Sequence, residues 1–190
     1  MKQFLTFAVL LSSFFGWSQQ YHLEVGAKVG FKDEFHLRPS FDETSKYTEI
    51  HFFYAYFFGR VSRRRFGNEF GLGFEKAADY FVRYIDNSKE FGYVNLNHLQ
   101  FNLSQYYYIH KSAMKKWDIQ VGLRNYFSLN DQVWIPHKME LKTWKLAGRI
   151  ATNYTYKTFI VGLFYEHDIR PNYVDFDRAA VFGLNVGVIY

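Results

Sequence analysis

The stretch Val181-Phe182-Gly183-Leu184-Asn185-Val186-Gly187-Val188-Ile189-Tyr190 decides how this chain is read. Phe182, Leu184, Val186, Val188 and Tyr190 take every second position; Gly183, Asn185, Gly187 and Ile189 take the others. A period of two puts the two sets on opposite faces of a strand. The pattern recurs upstream. Tyr21, Leu23, Val25, Ala27, Val29 and Phe31 alternate with His22, Glu24, Gly26, Lys28 and Gly30. Trp117, Ile119, Val121 and Leu123 alternate with Asp118, Gln120, Gly122 and Arg124. Similar runs start at Trp144 and at Phe159.

Eight strands are predicted, near residues 21–32, 49–61, 66–82, 94–110, 116–128, 144–156, 159–168 and 180–190. The second is weakest in phase, because Phe52, Phe53, Tyr54, Tyr56, Phe57 and Phe58 leave both faces aromatic. The fourth shifts phase near Asn97 and His98, which predicts a bulge or the membrane edge there. Connections are short at 62–65, 111–115 and 156–158, and mostly longer at 33–48, 85–93, 129–143 and 169–179. Pro39, Pro136 and Pro171 all fall in the longer ones, where a missing ladder donor does no harm. An even strand count, with short turns at one end and long loops at the other, is the pattern of a membrane-spanning barrel. From Tyr21 to Phe31 a strand tilted by ~40° climbs roughly 25 Å, the height of a membrane's apolar band.

Composition sets outer limits. At 190 residues the chain fits one domain, and 22% aromatic content supplies ample apolar area, which excludes intrinsic disorder. No cysteine is present, so disulfides, a thiol nucleophile and Cys-ligated zinc are excluded. A net charge of +5, scattered along the chain, does not argue for nucleic acid. Residues 1–18 read as a secretory signal peptide: Lys2, an apolar run from Phe4 to Phe15, and small residues at Gly16 and Ser18 ahead of Gln19. Residues 19–190 then form the barrel.

Alternation alone leaves a soluble lipid-binding barrel open. The polar face favours the membrane. It carries Gly26, Gly30, Gly71, Gly73, Gly122, Gly162, Gly183 and Gly187, small residues that suit a crowded barrel interior. It also balances Glu24, Glu69, Glu75, Asp118 and Glu166 against Lys28, Arg124, Lys145 and Arg149, as a charge network across a narrow lumen requires. Pairing about the turn near 156–158 sets Arg149 opposite Glu166, and Lys145 and Arg124 extend that network. Phe74 is followed on the outward face by Lys76, which belongs at the outer interface because a mid-membrane lysine is costly.

With its outward Phe182, Leu184, Val186, Val188 and terminal Tyr190, the last strand resembles that of Gram-negative outer-membrane barrels, which the outer-membrane assembly machinery reads as a signal. The pattern of the whole mature chain resembles the eight-stranded OmpA/OmpX-like superfamily. That resemblance implies an all-β, antiparallel, up-and-down transmembrane barrel in the cell outer membrane. It also implies contact with outer-membrane lipids, lipopolysaccharide included. The soluble domain that follows the barrel in OmpA-type proteins is not expected here.

Catalytic motifs are sparse. There is no glycine-rich phosphate loop, no His-Glu-x-x-His and no Gly-x-Ser-x-Gly. The seven histidines, at 22, 36, 51, 98, 110, 137 and 167, are dispersed and read as loop or interface residues, so no metal or other cofactor is expected. Some barrels of this resemblance modify lipid A. The palmitoyl-transferring type keeps His, Asp and Ser in its outer loops, and His36, Ser40, Asp42 and Ser45 offer those types here. The deacylase type sets a His close to a Ser on an outward face, and no matching motif is found; His167, beside Asp168, is the one histidine adjacent in sequence to an acid. Arg63-Arg64-Arg65, Lys111, Lys115, Lys116 and Lys157 cluster in the short turns, where they suit anionic headgroups or a periplasmic partner. The longer loops carry Phe35, Phe41, Tyr47, Trp134, Tyr173 and Phe176. The expected function is a structural, adhesive or surface-interaction role of a monomeric barrel with a filled lumen, acting through its loops and not on nucleic acid. The alternatives are a lipid A-modifying enzyme and a narrow channel for small apolar solutes.

Overall fold

A computed structural model describes residues 21–36, 49–85, 88–130, 132–134, 143–170 and 179–190. The expected signal peptide lies outside the described residues, as do Ser40, Asp42, Ser45, His137, the loop aromatics Phe41, Tyr47, Tyr173 and Phe176, and all three prolines. The strands are β1 (His22–His36), β2 (Glu49–Arg63), β3 (Phe66–Ile85), β4 (Ser88–Lys111), β5 (Lys115–Ser128), β6 (Gln132–Trp134), β7 (Trp144–Tyr156), β8 (Phe159–Arg170) and β9 (Ala179–Ile189). All pairings are antiparallel. The wall runs β1, β2, β3, β4, β5, β7, β8, β9 and closes β9 onto β1, leaving β6 outside the circuit on β4. Val25 and Tyr190 exchange both backbone hydrogen bonds, at 3.0 and 2.8 Å, across that seam.

The register fixes the barrel's width. Partners of Val25 lead through Gly59, Phe70, Leu103, Leu123, Gly148, His167 and Ala180 and return to β1 at Phe35, ten residues higher. That stagger over eight strands tilts them by about 40° and sets a backbone radius of about 8 Å. Side chains from opposite walls meet across so narrow a lumen, so it fills with them.

The outward face is a continuous apolar belt. Val25, Val29, Phe57, Leu72, Leu103, Val121, Ile150, Leu163 and Val186 are all exposed. A belt that encircles the molecule is a lipid-facing surface. Phe31, Phe53, Phe74, Phe127 and Phe182 edge it above, and Phe66, Trp117, Tyr154, Phe159 and Tyr190 edge it below. Lys76 points outward, between Phe53 on β2 and Asn97 on β4. It stands ten residues up β3 from Phe66, about 25 Å along the membrane normal, at the top of the belt.

The ambiguous β2 resolves cleanly. Phe52, Tyr54, Tyr56 and Phe58 enter the lumen, while Phe53 and Phe57 face lipid. Glycines opposite them make this possible. Tyr54 faces Gly30, Phe58 faces Gly26 and Gly71, and Tyr56 faces Gly73. A Cβ at Gly26 would sit 2.5 Å from Phe58 Cζ, and one at Gly30 2.8 Å from Tyr54 Cζ. Each of these three rings lies over a bare backbone, which lets large rings fill a barrel that otherwise lacks room, while Phe52 stands between Lys32 and Ala77.

Three expectations need correction. The register between β3 and β4 is unbroken past Asn97 and His98, so of the two expected causes the bulge is absent and the membrane edge remains, since Asn97 faces Lys76 at the top of the belt. The apparent phase shift comes from Leu96, an apolar side chain buried at an inward position near the outer rim. The bulge of β4 falls instead at Tyr108/His110 against β5, beside the turn. The connection expected at 85–93 is mostly strand: β3 and β4 pair from Phe66↔Tyr107 up to Ile85↔Ser88, so the hairpin continues well beyond Lys76. Tyr80, Phe81, Val82, Tyr84, Phe91, Tyr93 and Val94 supply the β-favouring residues for it. Within the connection expected at 129–143, Gln132–Trp134 forms β6 and pairs with Tyr93–Asn95. At the opposite end Arg64 and Lys157 take φ of 55° and 54° in the two-residue turns.

Candidate functional site

The inward charges form stacked tiers. Lowest, Glu24 on β1 accepts from Lys116 on β5 and from Tyr108 Oη at 3.1 Å. In the middle tier Glu69 on β3 is the hub. Its carboxylate accepts from Arg60 Nε at 2.7 Å, Gln120 at 3.0 Å and Asn102 at 3.1 Å, and pairs with Lys28 at 3.4 Å. Arg60 reaches on to Asp118 at 3.0 Å, and Asn153 donates to the other oxygen of Asp118 at 2.8 Å. Two carboxylates, Glu69 and Asp118, thus answer two cations, Lys28 and Arg60, drawn from four strands.

The upper tier centres on Glu166. Arg149 faces it in register and donates to Oε1 at 2.9 Å. Arg124 pairs with the same oxygen at 3.0 Å, and Tyr126 donates to the other. Lys32 pairs with Glu75 at 2.8 Å and lies 3.7 Å from Glu166, and His98 Nδ1 is 2.8 Å from Glu75. Lys145 pairs with Asp168 at 3.1 Å. Rings separate the middle and upper tiers. Tyr54 and Phe164 meet edge to face at 5.8 Å, and the Arg149 guanidinium lies 3.9 Å from the Phe164 centroid.

Every charge expected in the lumen, namely Glu24, Lys28, Glu69, Glu75, Asp118, Arg124, Lys145, Arg149 and Glu166, points inward here. Arg124 and Lys145 sit on adjacent strands, but Lys145 joins Asp168 and not the Arg149–Glu166 pair. Arg60, Lys32, His98, Lys116 and Asp168 complete the tiers and escaped the sequence reading. Arg60 lies on the strand whose phase was ambiguous, and Lys32 at the very end of its expected strand. Lys116 reads from sequence as one of the basic turn residues. His98, read as a loop or interface residue, is buried in the lumen at 2% exposure; the supposed bulge hid its parity. Continuing the even-number alternation of β4 through Leu96 would have found it.

On the outer side, His51 Nδ1 lies 2.6 Å from Asp33 Oδ1, an outward His–acid pair at the upper edge of the belt. Among the described residues no group of three or more His, Cys, Asp or Glu could hold a metal ion. Tyr190 points outward at 75% exposure, and Phe182, Leu184, Val186 and Val188 share its face.

The closed antiparallel wall recurs in solved structures. Ail of Yersinia pestis, crystallised with the heparin analogue sucrose octasulfate, matches with a TM-score of 0.50 at 10% identity over 89% of this chain and 99% of its own. The neisserial surface protein NspA matches with a TM-score of 0.51 at 10% identity, over 90% and 98%. OprG from Pseudomonas aeruginosa gives 0.50 at 12%, over 88% and 95%. The chain has the fold of the small outer-membrane barrels. At such identities the likeness is one of fold. In sequence, no family model and no curated protein matches the chain.

Proposed function

We propose that this is a non-conducting barrel of the outer membrane that presents its long outer hairpin to a partner outside the cell. The observation that carries this reading is the projection of β3 and β4. β2 pairs with β3 only up to Phe52↔Ala77, whereas β3 continues to Ile85. Among the described residues, β3 from Ala78 onward is paired on one edge alone, with β4, and β6 flanks β4 on the far side. A projecting sheet whose edge is unpaired among the described residues can offer backbone groups to another chain.

Replacing residues 79–94 by Asn-Gly joins the facing Ala78 and Asn95 and removes the projection. Cells carrying this variant should attach to surfaces and to one another less than cells carrying an equal amount of the intact barrel. Equal attachment would count against the reading. In planar bilayers the intact barrel should show no discrete conductance steps, because ion pairs and rings occupy the lumen from Glu24 to Asp168. A steady open channel would favour the solute-channel alternative.

Tyr190 and the outward residues Phe182 to Val188 are read as the assembly signal of the terminal strand. Tyr190→Asp should reduce barrel inserted in the outer membrane while export continues, as cell fractionation and heat-modifiable gel mobility would show. Undiminished insertion would sink this assignment. A second reading, lipid modification, takes its support from the outward His51–Asp33 pair at headgroup height. Its test is mass spectrometry of lipid A from cells with and without His51→Ala.

A further inference from the structure

We propose that the lipid-facing side of β2, β3 and β4 at the turn end binds one anionic glycerophospholipid. Arg63 and Arg65 take its phosphate, Asn68 and Gln105 its ester carbonyls, and the surface over Gly59 an acyl chain. The proposal rests on the outer-membrane reading only for the leaflet, the inner one, in which that lipid would lie.

Three observations meet there. First, Arg63, Arg64, Arg65, Phe66 and Tyr107 line a surface pocket of ≈ 670 Å³. Its floor is aromatic: the Phe66 and Tyr107 rings lie 4.9 Å apart, and Arg65 Nη1 is 3.5 Å from Tyr107 Oη. Guanidinium groups over a partly apolar floor at the membrane surface are a phosphate site.

Second, Asn68 and Gln105 face each other across β3 and β4, one outward step above Phe66 and Tyr107. Both lie inside the apolar belt, between Phe66 and Phe70. Neither side chain has a hydrogen-bond partner among the described residues, and hydrocarbon offers none. Two other polar side chains facing lipid are satisfied within the wall. Thr152 accepts from Trp117 at 2.8 Å and donates to the Asp118 carbonyl at 3.1 Å, and Asn125 accepts from Trp144 at 3.3 Å. The two amides need acceptors at that depth, and ester carbonyls lie one layer below the phosphate of a glycerophospholipid.

Third, Gly59 on β2 points outward, and a Cβ there would meet nothing within 4 Å. No close neighbour explains this glycine, unlike those of the lumen. With Val25, Ala27, Phe57, Phe70 and Leu72 it lines one apolar depression just above Asn68. Phosphate site, carbonyl site and chain groove therefore follow in the order of depth that such a lipid presents. Lipopolysaccharide is the poorer fit, because its phosphates would lie at the Lys76 rim instead.

Native mass spectrometry of the refolded barrel, with phosphatidylglycerol or phosphatidylcholine of matched chains, tests the site. The intact barrel should retain phosphatidylglycerol preferentially. Arg63→Gln with Arg65→Gln should cut that preference about fivefold or more and leave phosphatidylcholine unchanged. Asn68→Leu with Gln105→Leu should weaken both lipids alike, since both carry ester carbonyls, and Gly59→Leu should do the same. Lys115→Gln with Lys157→Gln removes equal charge from the other turns and should change nothing. Heat-modifiable gel mobility certifies that each variant is folded. Three results would overturn the site: an equal loss in the lysine variant, undiminished retention by Asn68→Leu/Gln105→Leu, or tighter retention of lipopolysaccharide than of phosphatidylglycerol. If cell fractionation instead finds the protein outside the outer membrane while retention follows the expected pattern, the location reading fails and the site stands.

Discussion

Glu166→Gln should destabilise the barrel by about 3–5 kcal/mol, the cost of leaving buried cations without their carboxylate. Arg149 and Arg124 both pair with one oxygen of Glu166, and both guanidiniums are buried. Glutamine keeps the size of the side chain and can still accept from Tyr126, so packing changes little and the lost charge dominates. Arg149→Met alone should cost less, because Glu166 retains Arg124 and lies 3.7 Å from Lys32. Considered as an isolated pair, Arg149→Met with Glu166→Gln should recover much of the loss. The geometry corrects this: Arg124 stays orphaned in the double variant, and recovery needs Arg124→Met as well. Urea titrations of the refolded barrel in detergent micelles, followed by tryptophan fluorescence, give the four stabilities. A Glu166→Gln midpoint indistinguishable from the unaltered chain would mean that water or another acid already screens these cations.

How much of this was legible beforehand depended on parity. Where one face was apolar and the other glycine-rich or charged, as from Tyr21 to Phe31 or Phe182 to Tyr190, the period of two gave strand, face and register together. The Arg149–Glu166 contact followed from a tight turn and parity alone, because a two-residue connection leaves little freedom in the pairing. Parity failed on β2. There an inward aromatic is as apolar as an outward one, and only the glycines of β1 and β3 reveal which ring has space. Arg60, the link between Glu69 and Asp118, was lost with it. Network membership was not legible either. Lys145 points inward as its position requires, but Asp168 claims it, and that choice is made by distance across the lumen. The length of the β3–β4 hairpin was missed for another reason. Beyond the membrane neither face need be apolar, so alternation fades although the backbone ladder continues.

Gly73→Val and Gly59→Val should have opposite outcomes, although the two glycines lie on neighbouring strands. Gly73 points into the lumen on β3, opposite Tyr56. A Cβ there would stand 2.2 Å from Tyr56 Cβ and 2.4 Å from the Ala55 carbonyl oxygen. Neither atom is the free end of a side chain, so no rotamer change relieves the overlap, and β2 itself must shift. Overpacking that cannot relax costs about 3 kcal/mol or more. Displacing β2 would also pull Arg60 from Glu69 and Asp118, adding a buried charge defect to the steric one. Gly73→Val should therefore refold poorly or lose most of its stability. Gly59 has a strand backbone of the same kind but faces lipid with open space beyond it. Valine there gains β-propensity and costs no contact within the wall, so stability should stay within about 0.5 kcal/mol of the unaltered barrel or rise. Refolding yield by gel mobility and urea midpoints in micelles decide the matter. If both variants fold equally well, the rings of β2 do not lie over the glycines of β3, and the lumen is looser than its closed tiers imply.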